Sequence, residues 1–132
     1  VRREAVVDTN AVIYYVVEDS PMHVEAEALL DGLDVWHMPT VVIHELVWFF
    51  KKTAPEEGGG VLRALLEYKK AVIHCEDAAT LRGAVGAGLT HYDDSVVILT
   101  ARKLGLPLVT FDARMAKRAK AYGVSVLRRL GV

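Results

Sequence analysis

Five short apolar runs, each separated from the next by at least one helical stretch, leave this chain few folds to choose from. Ala5 to Val7, Val35 to Met38, Ala71 to Cys75, Leu106 to Thr110 and Val124 to Leu127 read as strands. Between them lie helix candidates: Ala11 to Val17, Ser20-Pro21 through Asp31, Pro39 to Lys52, Val61 to Lys70, Asp77 to Ala87, His91 to Gly105 and Ala113 to Tyr122. Helices that alternate with short apolar strands imply a parallel sheet covered on both faces. The expected fold is therefore α/β, a three-layer α/β/α sandwich around a mainly parallel sheet of four to five strands. A single domain is expected across residues 1–132. Asp8-Thr9-Asn10 and Ser20-Pro21 supply helix-start chemistry. Gly58-Gly59-Gly60 marks the clearest break, because consecutive glycines disfavour regular helix.

Four acidic residues sit where such a fold makes charge expensive. Asp8 ends the first strand, Glu45 lies inside Val41-Val42-Ile43-His44-Glu45-Leu46-Val47-Trp48, Asp94 opens Ser95-Val96-Val97-Ile98-Leu99, and Asp112 follows Leu108-Val109-Thr110-Phe111. An unpaired charge beside an apolar run costs several kcal/mol or more. No cation lies nearby in sequence to match each acid, so a shared partner from outside the chain is the natural solution. Oxygen donors point to a hard divalent ion, Mg²⁺ or Mn²⁺. In open α/β sheets ligands bind beyond the carboxyl ends of the strands, where Asp8 and Asp112 fall. Helix capping is the plain competing account of Asp8, Asp94 and Asp112, and the preferred one for Asp93. Glu45 is different, since its helical neighbours Val41, Val42, Trp48 and Phe49 are all apolar.

Composition narrows the classes further. With 52% hydrophobic and 25% charged residues the chain is globular rather than disordered. No apolar run reaches bilayer length, and Val1-Arg2-Arg3-Glu4 leads into a run too brief for a signal-peptide core, so a membrane role is not expected. Cys75 is the sole cysteine, which excludes an internal disulfide and suits a reducing cytoplasm. The net charge of −1 hides an asymmetry: from residue 100 onward eight cations face only Asp112, a balance of +7. That basic third could meet a phosphate backbone, or simply be a solvated helix face. Gly83-Ala84-Val85-Gly86-Ala87-Gly88 is not a nucleotide loop and reads as close helix packing. No Walker A motif is present, and the five histidines lack paired metal-ligand spacing.

Taken in order, Val6-Val7-Asp8-Thr9-Asn10, Pro39 through Glu45-Leu46, Tyr92-Asp93-Asp94-Ser95 through Ala101, and Gly105 through Asp112 resemble the PIN-domain nucleases, especially the compact VapC-type toxins. The resemblance covers the chain nearly end to end. It implies an acidic metal site of Asp8, Glu45, Asp94 and Asp112, supported by Asn10 and Thr110, with Asp93 adjacent. It implies Mg²⁺- or Mn²⁺-dependent hydrolysis of RNA; Arg114, Lys117 and Arg118, from the basic C-terminal third, are the candidate phosphate contacts. It also implies a homodimer and a small antitoxin partner. Ser95, where many relatives carry alanine, and the triple glycine depart from the family pattern. Two other functions compete: a non-catalytic PIN-like module that binds RNA or protein, and a phosphatase using Asp8 as nucleophile.

Overall fold

The computed structural model describes residues 2–127. Strands β1 (Glu4–Val7), β2 (Val35–Pro39), β3 (Ala71–His74), β4 (Leu108–Val109) and β5 (Val126–Leu127) form one sheet in the order β3-β2-β1-β4-β5. Every neighbouring pair is parallel. The helices are α1 (Thr9–Val16), α2 (His23–Asp31), α3 (Thr40–Thr53), α4 (Gly58–Leu66), α5 (Ala78–Gly86), α6 (Tyr92–Leu104) and α7 (Ala113–Ala121). A 3₁₀ turn, Leu89–His91, leads into α6. The expected α/β/α architecture is the one observed.

The central strand explains the layering. Ala5, Val6 and Val7 are all fully buried, which requires cover on both faces of β1. On one face Trp36 donates from Nε1 to the Leu30 carbonyl at 2.9 Å and meets the rings of Tyr15 and Tyr68 edge-on. The next residue, His37, points to the opposite face by strand alternation. There it bonds Glu4 and His74, each at 2.7 Å. Helix α6 packs against β1 and β2, and buries Val96, Val97, Ile98 and Ala101. It ends at Gly105, whose φ of 68° is the left-handed turn glycine adopts without strain.

Element edges differ from expectation in several places: β4 spans only Leu108–Val109 of the expected Leu106 to Thr110, and β5 only Val126–Leu127 of the expected Val124 to Leu127. Helix α2 starts at His23 rather than Ser20-Pro21, because the Ser20 hydroxyl instead donates to the Tyr14 carbonyl and closes a turn. Helix α4 ends at Leu66, short of Lys70. The triple glycine is not the break: Gly58–Gly60 form the first turn of α4, and the chain breaks just before it. Gly58 is buried there, and a Cβ on it would sit 2.6 Å from Phe50 Cβ. Close approach of α3 and α4 thus demands glycine at Gly58, whereas Gly60 has open space. Gly58→Ala is therefore expected to destabilise by about 1–3 kcal/mol despite better helix propensity. Gly60→Ala should stabilise by up to about 1 kcal/mol, and urea unfolding of the two variants tests the opposite signs. The close-packing account holds at Gly83, where a Cβ would meet Leu99 at 3.0 Å, but not at Gly86 or Gly88, which have open space; Gly88 instead takes a positive φ of 110°.

The strand order places the site. From β1 the sheet grows through β2 to β3 on one side, then resumes with β4 on the other. Segments 102 residues apart in sequence therefore meet where β1 and β4 end. This reversal is the topological switch point at which open α/β sheets bind ligands. Among the described residues no helix is long and apolar enough to cross a membrane.

Candidate active site

Asp8 leaves β1 at the switch point, with its backbone N–H donating to the Val109 carbonyl at 2.9 Å. It caps α1, its Oδ1 accepting from Thr9 N at 2.9 Å. Capping does not exhaust it. Oδ2 accepts from Asn10 Nδ2 at 3.0 Å and from the Thr110 hydroxyl at 2.9 Å. Asn10 is fixed in turn, since its Oδ1 accepts from Phe111 N at 2.9 Å. The two supporting residues expected from sequence, Asn10 and Thr110, thus clamp one carboxylate oxygen between α1 and the end of β4.

Asp112 caps α7, its Oδ1 accepting from Arg114 N at 2.9 Å. Glu45 reaches the same region from α3, where the Thr9 hydroxyl donates to its Oε1 at 2.6 Å. The start of α3 is itself tied down by Glu76, whose carboxylate accepts from Val41 N at 2.9 Å and from the Thr40 hydroxyl. The apolar surround of Glu45 is only partly core, because Val42 is buried but Trp48 is 61% exposed. Asp93 and Asp94 both lie in the first turn of α6. With Glu45, His91 and Tyr92 they line an open cleft of about 310 Å³.

These carboxylates act on one another. Burial pushes Asp8 from 3.8 up to about 6; hydrogen bonds from Thr110 and Thr9 oppose the rise, and repulsion from Asp94 and Asp112 adds to it. Burial likewise lifts Glu45 from 4.5 to about 7, against its bond from Thr9 and with repulsion from Asp8, Asp93 and Asp94. Burial also raises Asp94, partly offset by the Arg118 guanidinium and reinforced by Asp112 and Asp93. The four acids singled out in the sequence, with Asp93, therefore share one field of excess negative charge.

Among the described residues no three acidic, histidine or cysteine side chains converge closely enough to form a finished cation cage. The donor chemistry nevertheless fits a hard divalent ion. All the groups are carboxylates, only Asp94 has a cationic side chain against it, and three accepted hydrogen bonds leave Asp8 about one free lone-pair position. Arg114 and Lys117 are exposed on α7 beside Asp112. Arg118 is not free: its guanidinium donates to Ser95 Oγ at 2.8 Å and lies 3.4 Å from Asp94 Oδ2. Sequence reasoning missed Thr9 and Ser95 as site residues. Thr9 read only as a capping type, and the partner of Ser95 lies 23 residues away.

Comparison with known proteins agrees with this architecture. The PIN domain profile matches residues 5–121. The fold is similar to VapC20 of Mycobacterium tuberculosis, a sarcin-ricin-loop-cleaving toxin, with a TM-score of 0.79 and 17% identity over 94% of this chain and 98% of that one. It is also similar to FitAcB of Neisseria gonorrhoeae, with a TM-score of 0.66 and 20% identity over 97% of this chain and 99% of that one. No curated protein sequence matches it. A profile match across almost the whole chain, on a five-stranded parallel sheet with carboxylates at its switch point, makes this chain a member of the PIN domain family.

Proposed function

We propose that this protein is a Mg²⁺- or Mn²⁺-dependent endoribonuclease that hydrolyses RNA phosphodiester bonds, and that it is the toxin of a VapBC-type toxin–antitoxin pair. One observation carries the reading: Asp8, Glu45, Asp94 and Asp112, remote in sequence, share one electrostatic site with Asp8 and Glu45 raised to about 6 and about 7. Burial is the larger cause of both shifts and mutual repulsion the smaller, and a bound cation would answer both. When bound, such an ion supplies hydroxide at neutral pH and polarises the phosphoryl group.

The chain's own residues divide the remaining work. Asn10 and Thr110 hold Asp8 Oδ2, and Thr9 holds one oxygen each of Asp8 and Glu45, so the donors are oriented before a ligand arrives. Arg114 in the first turn of α7 and Lys117 at its middle, both exposed, are suited to contact phosphate and retain substrate. No protein nucleophile is required. Asp8 is poorly suited to be one, being 6% exposed with both oxygens already accepting hydrogen bonds, which disfavours the phosphatase reading.

A homodimer and a small antitoxin belong to the same proposal. Trp48 and Leu81 line one open groove and Val85 follows a turn later on α5, all three exposed, an apolar face suited to a second copy. Light scattering reads that assembly directly.

The test of function is cleavage of labelled structured RNA, single-stranded RNA and single-stranded DNA, in Mn²⁺ or EDTA, by wild type and Asp94→Asn. Cleavage of RNA by wild type in Mn²⁺ alone is expected. Folded protein that binds RNA but cuts nothing would favour the binding module instead.

A further inference from the structure

We propose that Ser95 and Arg118 form a positioning pair that keeps a resident cation against Asp94, so that a divalent ion entering the acidic site competes with a guanidinium already in place. The inference rests on the reading of Asp94 as a metal ligand. Its geometry is specific. Ser95 is fully buried on α6, and Arg118 reaches it from α7, donating from Nη2 to Ser95 Oγ at 2.8 Å. The other arm of the same fork, Nη1, stands 3.4 Å from Asp94 Oδ2. The planar guanidinium presents donors at fixed angles, so seating one arm on a buried hydroxyl dictates where the other points. The short bond is to the serine and the long one to the carboxylate. The fork is thus anchored by Ser95 and only loosely engages Asp94, a contact an incoming ion can displace.

Charge gives the pair its consequence. Asp8, Glu45, Asp93, Asp94 and Asp112 repel one another across the site, as described above. Among the described residues Arg118 is the only lysine or arginine in an ion pair with any of these five. The Arg118 side chain is 22% exposed and that of Asp94 43%, so solvent screens the pair in part but not fully. The guanidinium therefore relieves repulsion while the site lacks a metal, and weakens the site's hold on a divalent ion. Alanine in place of Ser95 would lose the anchor, and lysine in place of Arg118 would lose the fork.

Titration calorimetry of Mn²⁺ into the full chain at pH 7.5, without RNA, tests this. It compares wild type with Arg118→Gln, Arg118→Lys and Ser95→Ala, alongside melting temperatures in EDTA. Arg118→Gln is expected to bind Mn²⁺ roughly three- to tenfold more tightly, through loss of one opposing charge, while melting lower without metal. Ser95→Ala should move both readouts the same way by less, although this buried residue cannot touch RNA. Arg118→Lys should fall between Arg118→Gln and wild type. Lower melting with unchanged or weaker Mn²⁺ affinity in Arg118→Gln and Ser95→Ala would reduce the pair to packing and overturn the proposal. Weaker RNA binding in EDTA with unchanged Mn²⁺ affinity would overturn it too, making Arg118 a substrate contact. If wild type itself fails to bind Mn²⁺, the metal site falls first and the pair falls with it.

Discussion

Asp8→Asn is expected to reduce RNA cleavage in Mn²⁺ by at least about 100-fold while leaving the chain folded. The substitution keeps shape and volume, so the core beneath β1 is untouched. What it removes is the charge at the most buried of the clustered acids, 6% exposed at the end of the central strand. It also mismatches the local hydrogen bonds. Asp8 accepts from Thr9 N on one oxygen and from Asn10 and Thr110 on the other. An asparagine offers one acceptor and one donor, so either orientation of its amide sets two donors against each other. A neighbour that only orients a metal ligand typically matters 10–100-fold, and losing the ligand's charge should exceed that. Thr110→Val supplies the comparison, removing one hydrogen bond to Asp8 without altering its charge. Single-turnover cleavage at saturating RNA would rank the three proteins. Asp8→Asn cutting as fast as Thr110→Val would mean that Asp8 orients the site and does not ligate.

How much of this was legible in the sequence follows from how local each signal is. The strands were readable because β1 lies at the centre of a parallel sheet and must be apolar throughout, as Ala5-Val6-Val7 is. Asp8 and Asp112 were readable because the ends of parallel strands are where this architecture builds sites. Glu45 was found for a reason only partly sound, since the exposure of Trp48 leaves its helix face half surface. Contacts across elements were beyond reach. The Thr9 hydroxyl on Glu45 spans 36 residues and the Arg118–Ser95 bond spans 23, and neither pair carries a local pattern. The His37–His74 pair was missed for the same reason: the two rings meet because β2 and β3 are neighbours, not through sequence spacing. The triple glycine failed in the opposite way. Local propensity was read correctly, but packing of Gly58 against Phe50 overrode it.

In the metal-free protein the clustered acids should make stability fall as pH rises, and the slope should depend on Asp8. Its carboxyl titrates near 3.8 when unperturbed and at about 6 in the fold, so the folded state binds the proton more tightly. The contribution is complete below about pH 4, where both states are protonated, and is lost as pH rises through about 6. A shift of that size corresponds to about 3 kcal/mol, the most Asp8 can contribute to the slope. Glu45, shifted from 4.5 to about 7, acts in the same direction over a slightly higher window, more weakly because it is better solvated. His74 opposes both: burial, with repulsion from His37 and Lys103, lowers its pKa, so its contribution is lost as pH falls. Wild type alone would therefore give a blurred profile. The difference between wild type and Asp8→Asn removes whatever the two proteins share. In EDTA the melting temperature of Asp8→Asn minus that of wild type should grow by roughly 5–10 °C between pH 4.5 and 7.5, whatever its sign at the start. Saturating Mn²⁺ should abolish much of that growth by stabilising wild type selectively at the higher pH. A difference that stays flat in EDTA would mean that the Asp8 carboxylate is adequately solvated or paired in the fold, and would remove the electrostatic reason for placing a metal there.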